Sequence, residues 1–283
     1  MVDVFNANTG AWTTTQLSVA RSSLAAASLP AQALALFAGG FTDSSGFYSS
    51  NIIDIFNGLT GTWSTALLSG EITCAAAASL PALGLAFFTK FGCEPSQWSR
   101  SDPHFDVYST SSVNVSTVQI PVGTAYVSAN FAVTSLPEQN LVLFASQSAN
   151  RDQETGVAIF NAKTGKFAIT NFSRPRYWLS ATSLPAQGVA LFSSSNRYYP
   201  SDSTVVDLYN AFSGKWTNVS LPTPREFASL VSLPDQGLVL IGPGNQESSL
   251  VDIFDCSSCP VPSQPSNLDA LPAPPVLNPN LSF

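Results

Sequence analysis

Two kinds of apolar segment alternate along the chain. One is short and almost unbroken, as in ALALF, LAFF, LVLF, VALF and LVLI. A run of that kind predicts a strand buried on both faces. The other alternates apolar with polar positions, as in VDVF, IDIF, FDVY, VDLY and VDIF, and predicts a strand with one face toward solvent. Two turn signals separate them. Leu-Pro-x-x precedes each unbroken segment, with Pro fixing φ, and N-x-x-T-G follows most alternating ones, with Gly where φ > 0 is needed.

These segments recur with a common period. VDVFNANTGAW, IDIFNGLTGTW, FDVYSTSSVNV, VAIFNAKTGKF and VDLYNAFSGKW align without gaps, and VDIFDCSS is a sixth, truncated copy. Their aromatic anchors, Phe5, Phe56, Tyr108, Phe160, Tyr209 and Phe254, are spaced by 51, 52, 52, 49 and 45 residues. The Leu-Pro turns, at Leu29, Leu80, Leu136, Leu184 and Leu233, keep the same period. Two hairpins per unit make four strands per unit. Radial repetition of such units predicts an all-β propeller, in which only short sheet edges remain.

The register leaves the ring count open. The chain begins with the last two strands of a unit and passes five Leu-Pro hairpins. Its periodicity then stops after a single further strand, at Phe254. That reads as five complete repeats with an additional incomplete repeat, either a five-bladed ring or an incomplete six-bladed one. Residues 1–255 form the propeller on this reading. Residues 256–283, rich in Pro and Ser and without periodicity, form an extended linker.

Composition narrows the function classes. Charged residues make up 10% of the chain, against about 25% in an ordinary soluble domain, so surface polarity rests on Ser, Thr, Asn and Gln. A net charge of -7 with no Lys/Arg stripe argues against nucleic acid. No apolar run approaches the ~20 residues of a membrane-spanning helix. The opening MVDVFNANTGAW carries neither the basic nor the apolar region of a secretory leader. Sequons nevertheless occur at Asn114, Asn171, Asn218 and Asn280, and together with scarce Lys they point to an extracellular protein or ectodomain.

The apolar strand ending in Gly39-Gly40, the Asp-aromatic strands and the Trp seven residues further on resemble the kelch repeats of galactose oxidase-like propellers. Only the first unit keeps the double Gly, and the third has Val115 in place of Trp. The resemblance implies four-stranded blades. In the relatives it also implies a copper centre of two histidines and two tyrosines. This chain has one histidine, His104, so that oxidase chemistry has no ligand set here. No zinc set, Ser-His-Asp arrangement or Gly-x-Ser-x-Gly elbow is present, and no cofactor is implied. The recurring Asp3, Asp54, Asp106, Asp207 and Asp252 occupy one strand position in successive units, which is a structural pattern. The expectation is a non-enzyme.

Four cysteines remain. Cys74 and Cys93 flank the Leu80-Pro81 hairpin and read as a cross-hairpin disulfide or as two separate thiols. Cys256-Ser-Ser-Cys259 reads as a local disulfide or as partners for cysteines elsewhere.

The candidate interaction residues are Arg21, Arg176 and Arg225, each eight positions ahead of a Leu-Pro leucine, with Ile72 and Ser128 at the same place in the other units. On one rim, three guanidiniums would bind carboxylates or an acidic peptide. The alternative is that they hydrogen-bond loop carbonyls. Tyr177, Trp178 and Glu226 add aromatic and acidic character beside them. The reading is a protein-binding module, with a carbohydrate-binding propeller as the alternative and a hydrolase on rim carboxylates such as Glu71 as the less favoured third.

Overall fold

The computed structural model describes residues 1–43, 48–73, 75–89, 104–121, 131–146, 156–172, 174, 176–194, 203–225, 227–242, 249–257 and 259. These form six antiparallel sheets in chain order. β1 (Val2–Asn6) and β2 (Ala11–Thr15) make a two-stranded sheet. Four complete four-stranded sheets follow. The first is β3 (Ala25–Leu29), β4 (Leu34–Ala38), β5 (Ser50–Asn57) and β6 (Thr62–Ile72). The second is β7 (Ala77–Leu80), β8 (Leu85–Thr89), β9 (His104–Ser109) and β10 (Asn114–Gln119). β11 (Phe131–Leu136), β12 (Leu141–Ser146), β13 (Gly156–Asn161) and β14 (Lys166–Asn171) form the third. β15 (Ser180–Leu184), β16 (Val189–Ser193), β17 (Val205–Asn210) and β18 (Lys215–Ser220) form the fourth. A three-stranded sheet of β19 (Leu230–Leu233), β20 (Leu238–Ile241) and β21 (Asp252–Asp255) ends the series. The twenty-one strands are the five four-strand repeats and one further strand that the sequence predicts, gathered into sheets of two, four, four, four, four and three strands among the described residues. The fifth Leu-Pro hairpin gains β21 and no outer strand beyond it there.

Sequence explains each sheet. The unbroken apolar segments become β8, β12 and β16, buried at every position, while β18 keeps an exposed-intermediate alternation as an outer strand should. Leu-Pro-x-x is a single 3-10 turn closed by a left-handed residue: Ala33, Gly84, Asn140 or Gly237, at φ between 54° and 67°. In N-x-x-T-G the Asn Oδ1 accepts from the N–H groups two and three residues on, as Asn57 does from Leu59 and Thr60.

The first strands β3, β7, β11, β15 and β19 stand side by side in chain order, so the sheets radiate from a common line. Each sheet has a rear face toward the sheet before it and a forward face toward the sheet after it. At the first junction Leu36, Ile53, Ile55 and Leu68 meet Ala86, Phe88 and Tyr108 of the second sheet. Equivalent clusters fill the next three junctions. Polar bonds tie the same neighbours. The Trp63 and Trp216 indoles donate to Thr15 and Thr170 of the preceding unit's outer strand, at 2.8 and 3.0 Å. At the turn end, Gln32 and Gln139 donate to the Pro81 and Pro185 carbonyls of the following unit. Among the described residues, no helix is long and apolar enough to cross a membrane.

Candidate functional site

Strand direction sorts the connections. The tight Leu-Pro and Asn-Gly turns lie at one end of the sheets. The connections from second to third strands and from each sheet to the next lie at the other. Binding residues commonly sit on connections of this kind above a rigid scaffold.

The arginines enter at this end, but they do not line a channel rim. Arg21, Arg176 and Arg225 are buried. Each reaches across its sheet to the aspartate of the third strand: Arg21 to Asp54, Arg176 to Asp207 at 2.5 Å, and Arg225 to Asp252 at 2.8 Å. Arg21 also donates to the Ile52 carbonyl at 2.7 Å and the Gly39 carbonyl at 3.0 Å. Burial pulls the Arg21 guanidinium down from its ordinary value, and the Asp54 charge and hydrogen bond oppose that pull. The three pairs clamp incoming chain onto the sheet it is about to start. Arg21 thus bonds carbonyls within its own sheet, and what the three arginines share is an aspartate partner that sequence reasoning treated separately.

The shared period was the one signal available for that partnership. Where Ile72 replaces Arg, Asp106 takes bonds from the Ser69 N–H and hydroxyl and from the Thr117 hydroxyl, at 2.7–2.9 Å. Where the sequence has Ser128, the aspartate position is Ala158. Arg and Asp are thus lost together in that unit.

Among the described residues, this end presents an aromatic pair. Two residues beyond the clamp, Ser23, Trp178 and Phe227 share a left-handed backbone, at φ of 54°, 46° and 56°. For a bulky side chain this region is a genuine outlier, costing about 1–3 kcal/mol. Trp178 and Phe227 are 45% and 52% exposed, and their rings lie 5.4 Å apart across two neighbouring sheets. Ser180 links the same sheets by donating to the Ala228 carbonyl at 2.7 Å. Tyr177 is half-buried beside them and Arg174 is exposed. Sequence reasoning singled out Trp178 but not Phe227. Its position six residues ahead of Leu233, matching Trp178 ahead of Leu184, was the available signal.

The remaining candidates separate. Glu226, Cys74, Cys93 and Asn280 lie outside the described residues, as do 260–283. Cys256 and Cys259 form a disulfide, and Cys256 is buried in the last junction. Asp255 takes the turn asparagine's place and accepts the Ser257 N–H at 2.8 Å, and hydrogen bonds from the Ser257 hydroxyl and N–H hold its carboxyl below the usual value. Asn114, Asn171 and Asn218 are exposed on the outer strands β10, β14 and β18. His104 is half-buried at the start of β9, and Glu71 accepts from the Ser49 hydroxyl at 2.7 Å. Among the described residues, no group of three or more His, Cys, Asp or Glu side chains is placed to hold a metal ion.

No protein-family model matches the chain, and no curated protein matches it in sequence. A solved structure described as "Structure of YjhT" superimposes over 87% of this chain and 83% of that one, with a TM-score of 0.58 and 12% identity. Together with the radial sheets, this decides the architecture. The chain is a β-propeller. At that identity the likeness speaks for the fold alone, and the chemistry of this propeller must be read from its own residues.

Proposed function

We propose that this propeller is a non-catalytic interaction module of kelch type that docks a protein partner through its loop end. The observation carrying this reading is the Trp178–Phe227 pair. Two large aromatics are held in a costly left-handed conformation, facing solvent, at equivalent positions of adjacent sheets. Backbone strain at an exposed position is retained where the side chain's direction matters, and Trp and aromatic anchors dominate protein interfaces. The buried Arg176–Asp207 and Arg225–Asp252 clamps immediately before them fix that direction and give a rigid, low-entropy docking surface.

The setting fits an extracellular protein. The Cys256–Cys259 disulfide suits an oxidising compartment, and the sequons on the outer strands would place glycans around the circumference, away from the loop end. On this reading the propeller domain is followed by a Pro/Ser-rich linker.

A carbohydrate ligand is the second reading, because exposed Trp178 with half-buried Tyr177 offers ring faces on which a sugar could stack. One comparison separates them. The intact protein is screened by chemical cross-linking against secreted proteins and, in parallel, on a glycan array. The Trp178→Ala/Phe227→Ala double variant should weaken the captured protein contact by about tenfold or more, since a hot-spot aromatic contributes ~2 kcal/mol. Unchanged affinity in the double variant would remove the loop end as the docking face. Binding to glycans alone would select the second reading.

A further inference from the structure

Three interior junctions share a design, and the one between the second and third sheets departs from it by placing Phe87 and Phe105 on the forward face. A forward face of branched aliphatics, such as Leu36 with Ile53 and Ile55, closes on a rear face carrying aromatics, such as Phe88 with Tyr108. The third and fourth sheets repeat this with Leu143 and Ile159 against Phe192 and Tyr209. The first and last sheets each keep one half of such a junction open. On the rear face of the N-terminal hairpin, Phe5 and Trp12 are 52% and 68% exposed, with rings 5.0 Å apart. Their counterparts Phe160 and Phe167 are 0% and 8% exposed.

On the forward face of the three-stranded sheet, Val231, Leu233 and Ile253 are 57%, 42% and 65% exposed, and Leu238 and Leu240 are half-buried. These five share that face, because Leu233 pairs with Leu238, and Val231 and Ile253 both pair with Leu240. The counterparts of Ile253, which are Ile55, Val107, Ile159 and Leu208, are 0–7% exposed.

We propose that the forward face of β19–β21 in one copy docks on the rear face of β1–β2 in a second copy. The occupant is a second copy because the chain already packs this pair of faces against each other at its interior junctions. Both uncovered halves stand open to solvent on one molecule, so each copy offers what the other lacks. The acidic groups nearby are already engaged: Asp3 accepts from the Thr14 hydroxyl at 2.9 Å, and Asp255 from the Ser257 N–H. The contact is head-to-tail. Each new copy presents another free face, so assembly proceeds to chains or to a ring if the rotation closes. The contact is separate from the loop end and does not depend on it.

Sedimentation velocity over a concentration series tests this with Trp12→Glu and Ile253→Glu. Both side chains are exposed in the single chain, so unchanged circular dichroism and thermal midpoint confirm the fold; Trp12→Ser and Ile253→Ser serve if either charged variant fails to fold. The unaltered protein should associate with rising concentration, and each variant alone should remain monomeric. An equimolar mixture of the two should form a two-chain species and nothing larger, because only one intact face of each kind is then present. The proposal is overturned if the unaltered protein stays monomeric at the highest concentration. It is equally overturned if either variant alone still associates, or if the mixture does not pair.

Discussion

Val113 sits where Gly10, Gly61, Gly165 and Gly214 close the other hairpin turns, and it adopts the same left-handed backbone, at φ 51°. A Cβ built on any of those four glycines meets nothing within 4 Å, so conformation rather than space selects glycine there. Val113 is 72% exposed and has little packing to lose. Val113→Gly should therefore raise stability by up to about 1 kcal/mol, the relieved strain outweighing the added unfolded-state entropy. A urea melt that shows destabilisation would refute this.

Tyr209 is a second residue-scale case. Its hydroxyl is buried without a hydrogen-bond partner, and burial pushes its pKa up to about 12. The folded state then holds the proton more tightly than the unfolded chain, whose pKa is near 10. The stability from the neutral ring is complete below pH ~10 and lost as pH rises toward ~12. Tyr108 shifts in the same direction, also through burial. Tyr209→Phe should leave stability at pH 7 equal or slightly higher, and should flatten but not abolish the alkaline loss. Phe56 and Phe160 already occupy the equivalent place in two other units. Thermal midpoints at about pH 7, 10 and 11 decide the matter, and an alkaline limb identical to that of the parent would sink it.

At the scale of the element, the Arg–Asp clamp behaves as a unit. Removing one partner of a buried pair leaves an uncompensated charge and costs about 3–5 kcal/mol, whereas replacing both removes that charge penalty and is often close to neutral where the space stays filled. Asp207→Ala alone should lower the urea midpoint sharply. Arg176→Ser with Asp207→Ala should recover most of the loss, because it installs the Ser128/Ala158 combination found one unit earlier. A double variant as unstable as Asp207→Ala alone would show that the clamp is not a separable pair. The same elements show what pattern reading reaches. Arg and Asp were each visible as periodic. Their partnership was not, because the contact joins residues 33 positions apart in Arg21 and Asp54 and forms only when the third strand is in register.

At the scale of the whole molecule, the propeller is a row of similar junctions that ends, among the described residues, in a two-stranded and a three-stranded sheet, each with one face uncovered. Near-neighbour packing of this kind makes stability a sum over units and their interfaces, so an uncovered end face is the weakest place. If copies associate through those faces, the thermal midpoint should rise with protein concentration, and Trp12→Glu should remove the dependence. A midpoint independent of concentration in the unaltered protein would count against association.

The sequence by itself determined the period, the strand types, both turns and the radial architecture, because those follow from local backbone chemistry and from side-chain alternation. It also excluded the two-histidine copper site by count. Only the tertiary structure decided that the arginines are internal clamps, that Phe227 joins Trp178 in a strained exposed pair, and that both end faces are open. Each of these depends on which surfaces a neighbouring sheet covers. Burial of that kind is a property of the assembled sheets and cannot be read from one repeat.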